Sequence, residues 1–165
     1  MTGGGALGPN PVTLVIRHVL EERARRLFPA GARVLDLANG AVETGAAFDA
    51  AYAGPGVLDD RDLGASGRAL AAALRPGAPV LLCLRRRRPD APGPGLREAR
   101  ARLGPDFVWH GAFALAVVMP GEPRQDWVRR HPQAFGALAA LEGVVRRWPV
   151  LRGFGDYVAL EGVRR

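Results

Sequence analysis

Residues 32–53 read ARVLDLANGAVETGAAFDAAYA, and the spacing inside this stretch limits what the sheet can be. Ala32–Ala38 is mostly apolar and, lying between Gly31 and Gly40, too short for a helix. Such a run suits a strand buried on both faces of a parallel sheet. A second strand is expected at Ala47–Ala53, ended by Gly54-Pro55-Gly56. Only the eight residues 39–46 separate the two. A single parallel crossover takes at least about 10–12 residues, so no additional strand fits between them.

Toward the N-terminus, residues 1–11 are glycine-rich and expected to fray. Asn10-Pro11 supplies an N-cap and a proline at the first helical position. From Val12 to about Phe28, Leu14, Val15, Val19, Leu20 and Leu27 recur at helical spacing, and Pro29-Ala30-Gly31 stops the helix. In the other direction, residues 62–74 form a helix of good propensity ended by Arg75-Pro76-Gly77, and Pro79–Leu84 is a buried strand. A loop at 85–95 precedes a short basic helix at Leu96–Leu103. Phe107–Met119 contains a strand or two interrupted near Gly111. Residues 125–147 are helical, restarted at His131-Pro132, with Phe135, Leu138, Leu141, Val144 and Val145 on one face. Asp156–Leu160 is the last strand. Helices alternating with apolar strands predict an α/β fold with a mainly parallel sheet, in a single domain over residues 12–165.

Composition excludes several classes. The 165 residues are enough for one hydrophobic core. No run of about 18 apolar residues is present to span a membrane, and no secretory signal pattern opens the chain, so a cytoplasmic protein is the expectation. The lone Cys83 rules out an intramolecular disulfide and any multi-cysteine metal site. His18, His110 and His131 show no ligand spacing, so no metal is expected. The single serine, Ser66, is not set in a nucleophile elbow. The net charge of +7 is carried wholly by residues 81–165 and includes the run Arg85–Arg88. A nucleic-acid footprint interleaves arginine with stacking aromatics. No aromatic lies between Tyr52 and Phe107, which makes a solvated basic loop the better reading and nucleic acid an unlikely partner.

Four pieces of the chain together resemble the class I S-adenosylmethionine-dependent methyltransferases. GPNPVTLVIRHVLEERARRLFPAGARVLDL (residues 8–37) is similar to the leading helix and first strand of that family. FDAAYA followed by GPGVLDD (48–60) resembles its fourth strand and the loop after it, and LGASGRALAAALRPGAPVLLCLRR (63–86) its next helix, Leu-Arg-Pro-Gly turn and fifth strand. HPQAFGALAALEGVVRRWPVLRGFGDYVALEGVRR (131–165) resembles the closing helix and last strand of many bacterial members. The resemblance implies a Rossmann-like methyltransferase sheet. With strands two and three and their helices missing from residues 39–46, the family order 3-2-1-4-5-7-6 becomes 1-4-5-7-6, about five strands with helices on both faces.

The family's glycine-rich turn, D-x-G-x-G-x-G, corresponds to Asp36-Leu37-Ala38-Asn39-Gly40-Ala41-Val42; Asp36 and Gly40 match, while Ala38 and Val42 replace glycines. Glycine is needed there so that the backbone can approach the cofactor. The resemblance therefore makes Asp36, Asn39 and Gly40 the candidate S-adenosylmethionine contacts. The bare chemistry leaves open that Asp36 accepts backbone N–H bonds from its own turn and that Asn39-Gly40 is a plain tight turn. Asp59 and Asp60 follow the second strand, where open α/β sheets place ligands. They are candidates to orient a substrate amine or act as a base, or else to cap the next helix. No catalytic residue can be assigned. Two functions follow: a methyltransferase-family protein with a degenerate cofactor site, or a non-catalytic binding module. In the second, the edge strand 32–38 would be covered by a homodimer or another chain.

Overall fold

Asn10 and Pro11 begin the first helix as their chemistry requires. In the computed structural model, which describes residues 10–38, 47–59, 61–86, 93–119, 125–145 and 155–165, the Asn10 side chain accepts from the Val12 N–H at 2.9 Å. Helix α1 runs over Pro11–Leu27. Pro11, expected in the frayed segment, is thus its first residue, and residues 1–9 of that segment lie outside the described residues.

Five strands, β1 (Val34–Asp36), β2 (Ala50–Ala53), β3 (Pro79–Arg85), β4 (Phe107–Leu115) and β5 (Tyr157–Arg164), form one open sheet in the order β1-β2-β3-β5-β4. The fold class is α/β, as expected, but the sheet is mixed rather than mainly parallel. Strands β1, β2 and β3 are parallel, whereas β5 is antiparallel to both its neighbours. The register explains this: Leu115 at the end of β4 stands opposite Tyr157 at the start of β5. Helices α4 (Gln125–Arg130) and α5 (Pro132–Val145) are therefore an excursion that returns to the end of the sheet it left. Sequence periodicity alone reads such an excursion as a crossover.

The strands at the parallel end are shorter than expected. Phe48 contributes one isolated bridge to Leu74, and the connection from β1 to β2 covers the thirteen residues 37–49, long enough for a parallel crossover. Residues 39–46 within it lie outside the described residues.

Strand alternation sorts the core into two layers. Val80, Leu82 and Leu84 of β3 pack with α2 (Leu63–Ala73) and α3 (Leu96–Leu103), while Leu81 and Cys83 pack with α1 and α5. All five side chains are buried, which is why this strand reads as a continuous apolar run. Helices α2 and α3 meet through their backbones. A Cβ on Gly67 would lie 2.0 Å from the Leu103 carbonyl oxygen, so only glycine fits there. On the α1 face of the sheet, Arg23 reaches Glu161 of β5 with two charge-assisted bonds of 2.5 and 2.8 Å.

One expected face is wrong. Leu141 and Val144 are 46% and 56% exposed, and Glu142, at 2%, is buried in their place beside Val145. The Glu142 carboxylate accepts from the Val117 and Val118 N–H groups at 2.9–3.1 Å, next to Ala116 with its positive φ of 55°. Satisfying those loop donors sets the rotation of α5. Among the described residues no helix is long and apolar enough to cross a membrane.

Candidate functional site

Open α/β sheets bind ligands outside the carboxyl ends of their strands. Here β2 ends in Gly54-Pro55-Gly56 and delivers Leu58 and Asp59, while β3 ends at Leu84 and Arg85. Helix α2 starts at Asp62, whose carboxylate accepts from the Gly64 and Ala65 N–H groups at 2.8 and 3.3 Å. Those donors, Ala65 first and then Gly64, hold its pKa below the usual value. The cap of α2 is thus Asp62, and the alternative capping role expected for Asp59 falls to it. Helix α3 begins after Pro94-Gly95, and its position is fixed by the Gly67–Leu103 contact.

Between these ends lies a cleft of about 340 Å³. Leu58, Leu63 and Leu84 supply apolar wall, and Asp59, Arg61, Arg85, Glu98 and Arg102 supply its charges. Asp59 and Arg85 form an ion pair at 3.9 Å with side chains only 11% and 20% exposed. The Arg85 guanidinium also lies 5.8 Å from the centre of the Tyr157 ring, within cation–π range. Arg61 donates to the Leu37 carbonyl at 3.1 Å, tying the loop after β2 to the end of β1. Glu98 pairs with Arg102 at 2.5 Å and accepts from the Gly95 N–H at 3.3 Å.

The expected site residues do not all converge. Asp59 lines the cleft; Asp60, Asn39 and Gly40 lie outside the described residues. Asp36 stands at the end of β1, where its carboxylate accepts from the Ala38 N–H at 2.9 Å, the turn bond that ordinary Asx chemistry allows. It is in register with Tyr52, whose ring packs with the α1 layer, so Asp36 and the cleft belong to opposite sides of the sheet. Among the described residues the buried Tyr52 hydroxyl has no hydrogen-bond partner. Its pKa is pushed up to about 12, first by burial and then by the electrostatic influence of Cys83, Glu21 and Asp36, with Arg17 opposing.

Cys83 is buried in β3, and that burial raises its pKa, with a smaller push from Asp59. It is an inert core thiol. His18, His110 and His131 are all exposed. Among the described residues no three His, Cys, Asp or Glu side chains are grouped to hold a metal ion. Arg61, Glu98 and Arg102 are cleft residues that the sequence reading did not single out as a site. The available signals were the position of Arg61 directly after Asp59-Asp60, and the four-residue spacing of Glu98 and Arg102 on one helix face. No protein-family model matches the chain, and no curated protein is significantly similar to it.

Proposed function

We propose that the chain is a methyltransferase-like domain that has shed its cofactor-binding strands and works as a binding module rather than a catalyst. The observation that carries this reading is the strand order. A sheet of order β1-β2-β3-β5-β4, with β5 antiparallel and a three-residue β1 at the edge, corresponds to a methyltransferase sheet of order 1-4-5-7-6. In the family, an acidic residue on the strand beyond β1 would hold the cofactor's ribose. No described strand lies on that side, and Asp36 is turned onto its own loop. Of the expected S-adenosylmethionine contacts only Asp36 is among the described residues, and no methyl-transfer step is assigned to it. Calorimetric titration with S-adenosylmethionine and S-adenosylhomocysteine tests this. No heat is expected at millimolar ligand, and a micromolar dissociation constant would restore the enzyme.

A second feature favours self-association. No described strand pairs with β1 on the side away from β2, and alternation turns the peptide group of Val34 that way. Val34 is 39% exposed there. Unpaired edge groups are ordinarily covered or paired. A homodimer through the 32–38 edge is expected by light scattering at tens of micromolar, and a monomer would remove it.

A further inference from the structure

The cleft beside β2 and β3 has a surplus of one kind of hydrogen-bonding group. Its two carboxylates are ion-paired, Asp59 with Arg85 at 3.9 Å and Glu98 with Arg102 at 2.5 Å, and Glu98 also accepts from the Gly95 N–H. Among the described residues the guanidinium groups of Arg61 and Arg102 keep donors to spare. Each carries five N–H donors in a planar fork. Arg61 uses one Nη2 donor on the Leu37 carbonyl, and Arg102 meets Glu98 as an ion pair. Both side chains line a concave space of about 340 Å³, within the range of small-molecule sites. Among the described lining residues three guanidinium groups stand against two carboxylates, and that excess favours a ligand rich in acceptors and negative charge.

We propose that this cleft binds a small oxyanion-bearing metabolite, a phosphate or carboxylate compound, with Arg61 and Arg102 as the anion-holding residues and the Asp59–Arg85 pair as the charged wall against which it sits. The proposal gives a role to the start of the Arg85–Arg88 run, since Arg85 lines the cleft. A small ligand is favoured over a nucleic-acid strand because the donors are gathered in a concavity with no exposed aromatic among its lining residues on which bases could stack. The inference specifies the ligand class of the binding module proposed above and rests on that reading only for its biological meaning.

The test is titration of the full chain with inorganic pyrophosphate and, separately, succinate. Binding is read by calorimetry and located by amide shifts in nitrogen–proton spectra. Saturable binding to at least one is expected, with shifts confined to residues 58–63, 84–85 and 93–102. The arm that binds identifies the anion as phosphate or carboxylate. Arg61→Gln and Arg102→Gln are each expected to weaken binding about tenfold. Arg102 is exposed on α3, so its variant keeps the fold even if loss of the Arg61–Leu37 bond does not. Arg130→Gln on α4 is expected to leave binding unchanged. Absence of saturable binding in both arms, shifts centred on α4, or equal affinity in the Arg102→Gln protein would overturn the proposal. So would salt-sensitive binding to random duplex DNA that displaces the anion without saturating at one site. S-adenosylhomocysteine titration is scored independently, so loss of the anion site leaves the methyltransferase-like reading standing, and the reverse.

Discussion

The two halves of the sheet are built on different terms. In the antiparallel half, β3, β5 and β4 are 7, 8 and 9 residues long and pair along nearly their whole length. In the parallel half, β1 and β2 have 3 and 4 residues, and polar groups crowd their carboxyl ends. One half anchors the fold; the other holds the cleft, the open edge and the buried Tyr52 hydroxyl. The longest strand pairing thus lies away from the cleft proposed to bind a ligand, a division common in proteins whose sites need freedom to adapt.

The sharpest way to break this contrast is a pair of truncations. Leu160 is fully buried in β5 between two long neighbours, and Leu160→Ala is expected to cost about 4 kcal/mol because little around it can collapse into the gap. Leu35 in β1 is nearly as buried, at 6%, yet Leu35→Ala is expected to cost only about 2 kcal/mol, since an edge strand relaxes more easily. Urea unfolding of both measures the difference, and an equal or larger loss at Leu35 would erase it. Next in size is Glu142→Ala, which strips the acceptor from two loop N–H groups beyond β4. A loss of about 2–3 kcal/mol is expected, with faster hydrogen exchange at Val117 and Val118; unchanged exchange there would refute the bond's role.

A smaller effect appears with pH in the parallel half. The Tyr52 phenol titrates at about 12 in the folded chain against about 10 in an unfolded one. Its contribution is therefore intact below pH 10 and is lost as pH rises toward 12. The absorbance of tyrosinate at 295 nm in a Tyr157→Phe background should show that late midpoint. Unfolding midpoints should fall across the same window, and less steeply in Tyr52→Phe. A midpoint near 10 would show that the ring is solvated. The least change is expected for Val34→Lys on the open edge, within about 0.5 kcal/mol by urea unfolding. If the edge forms the dimer, however, that charge should dissociate it in the same light-scattering measurement.

What the sequence made legible follows the range of the interactions involved. Asn10-Pro11, the break at His131-Pro132 and the bounds of Leu96–Leu103 are set by neighbours within a few residues, and all were foreseen. The interruption expected near Gly111 is a bulge within one strand, between Trp109 and Gly111, opposite Glu161. Glu142 could not be seen as a core residue, because its partners lie 24 and 25 residues earlier. Nothing local marks a buried carboxylate in an otherwise apolar helix. The cleft was half legible: Asp59 was placed by the rule for open sheets, whereas Arg61 and Arg102 depend on how α2 and α3 close together at Gly67.

The position of β5 also shapes how the chain must be made. The strand last in sequence is seated between two that precede it. During synthesis β4 has no neighbour on its β5 side until residues 157–164 leave the ribosome, roughly 3–10 seconds after Leu115 at ordinary elongation rates. For that interval the β4 ladder groups that pair with β5 have no strand beside them. Cells that make this protein in quantity would be expected to shield the nascent β4 with a chaperone, and a slowed ribosome downstream of it should raise the yield of aggregate.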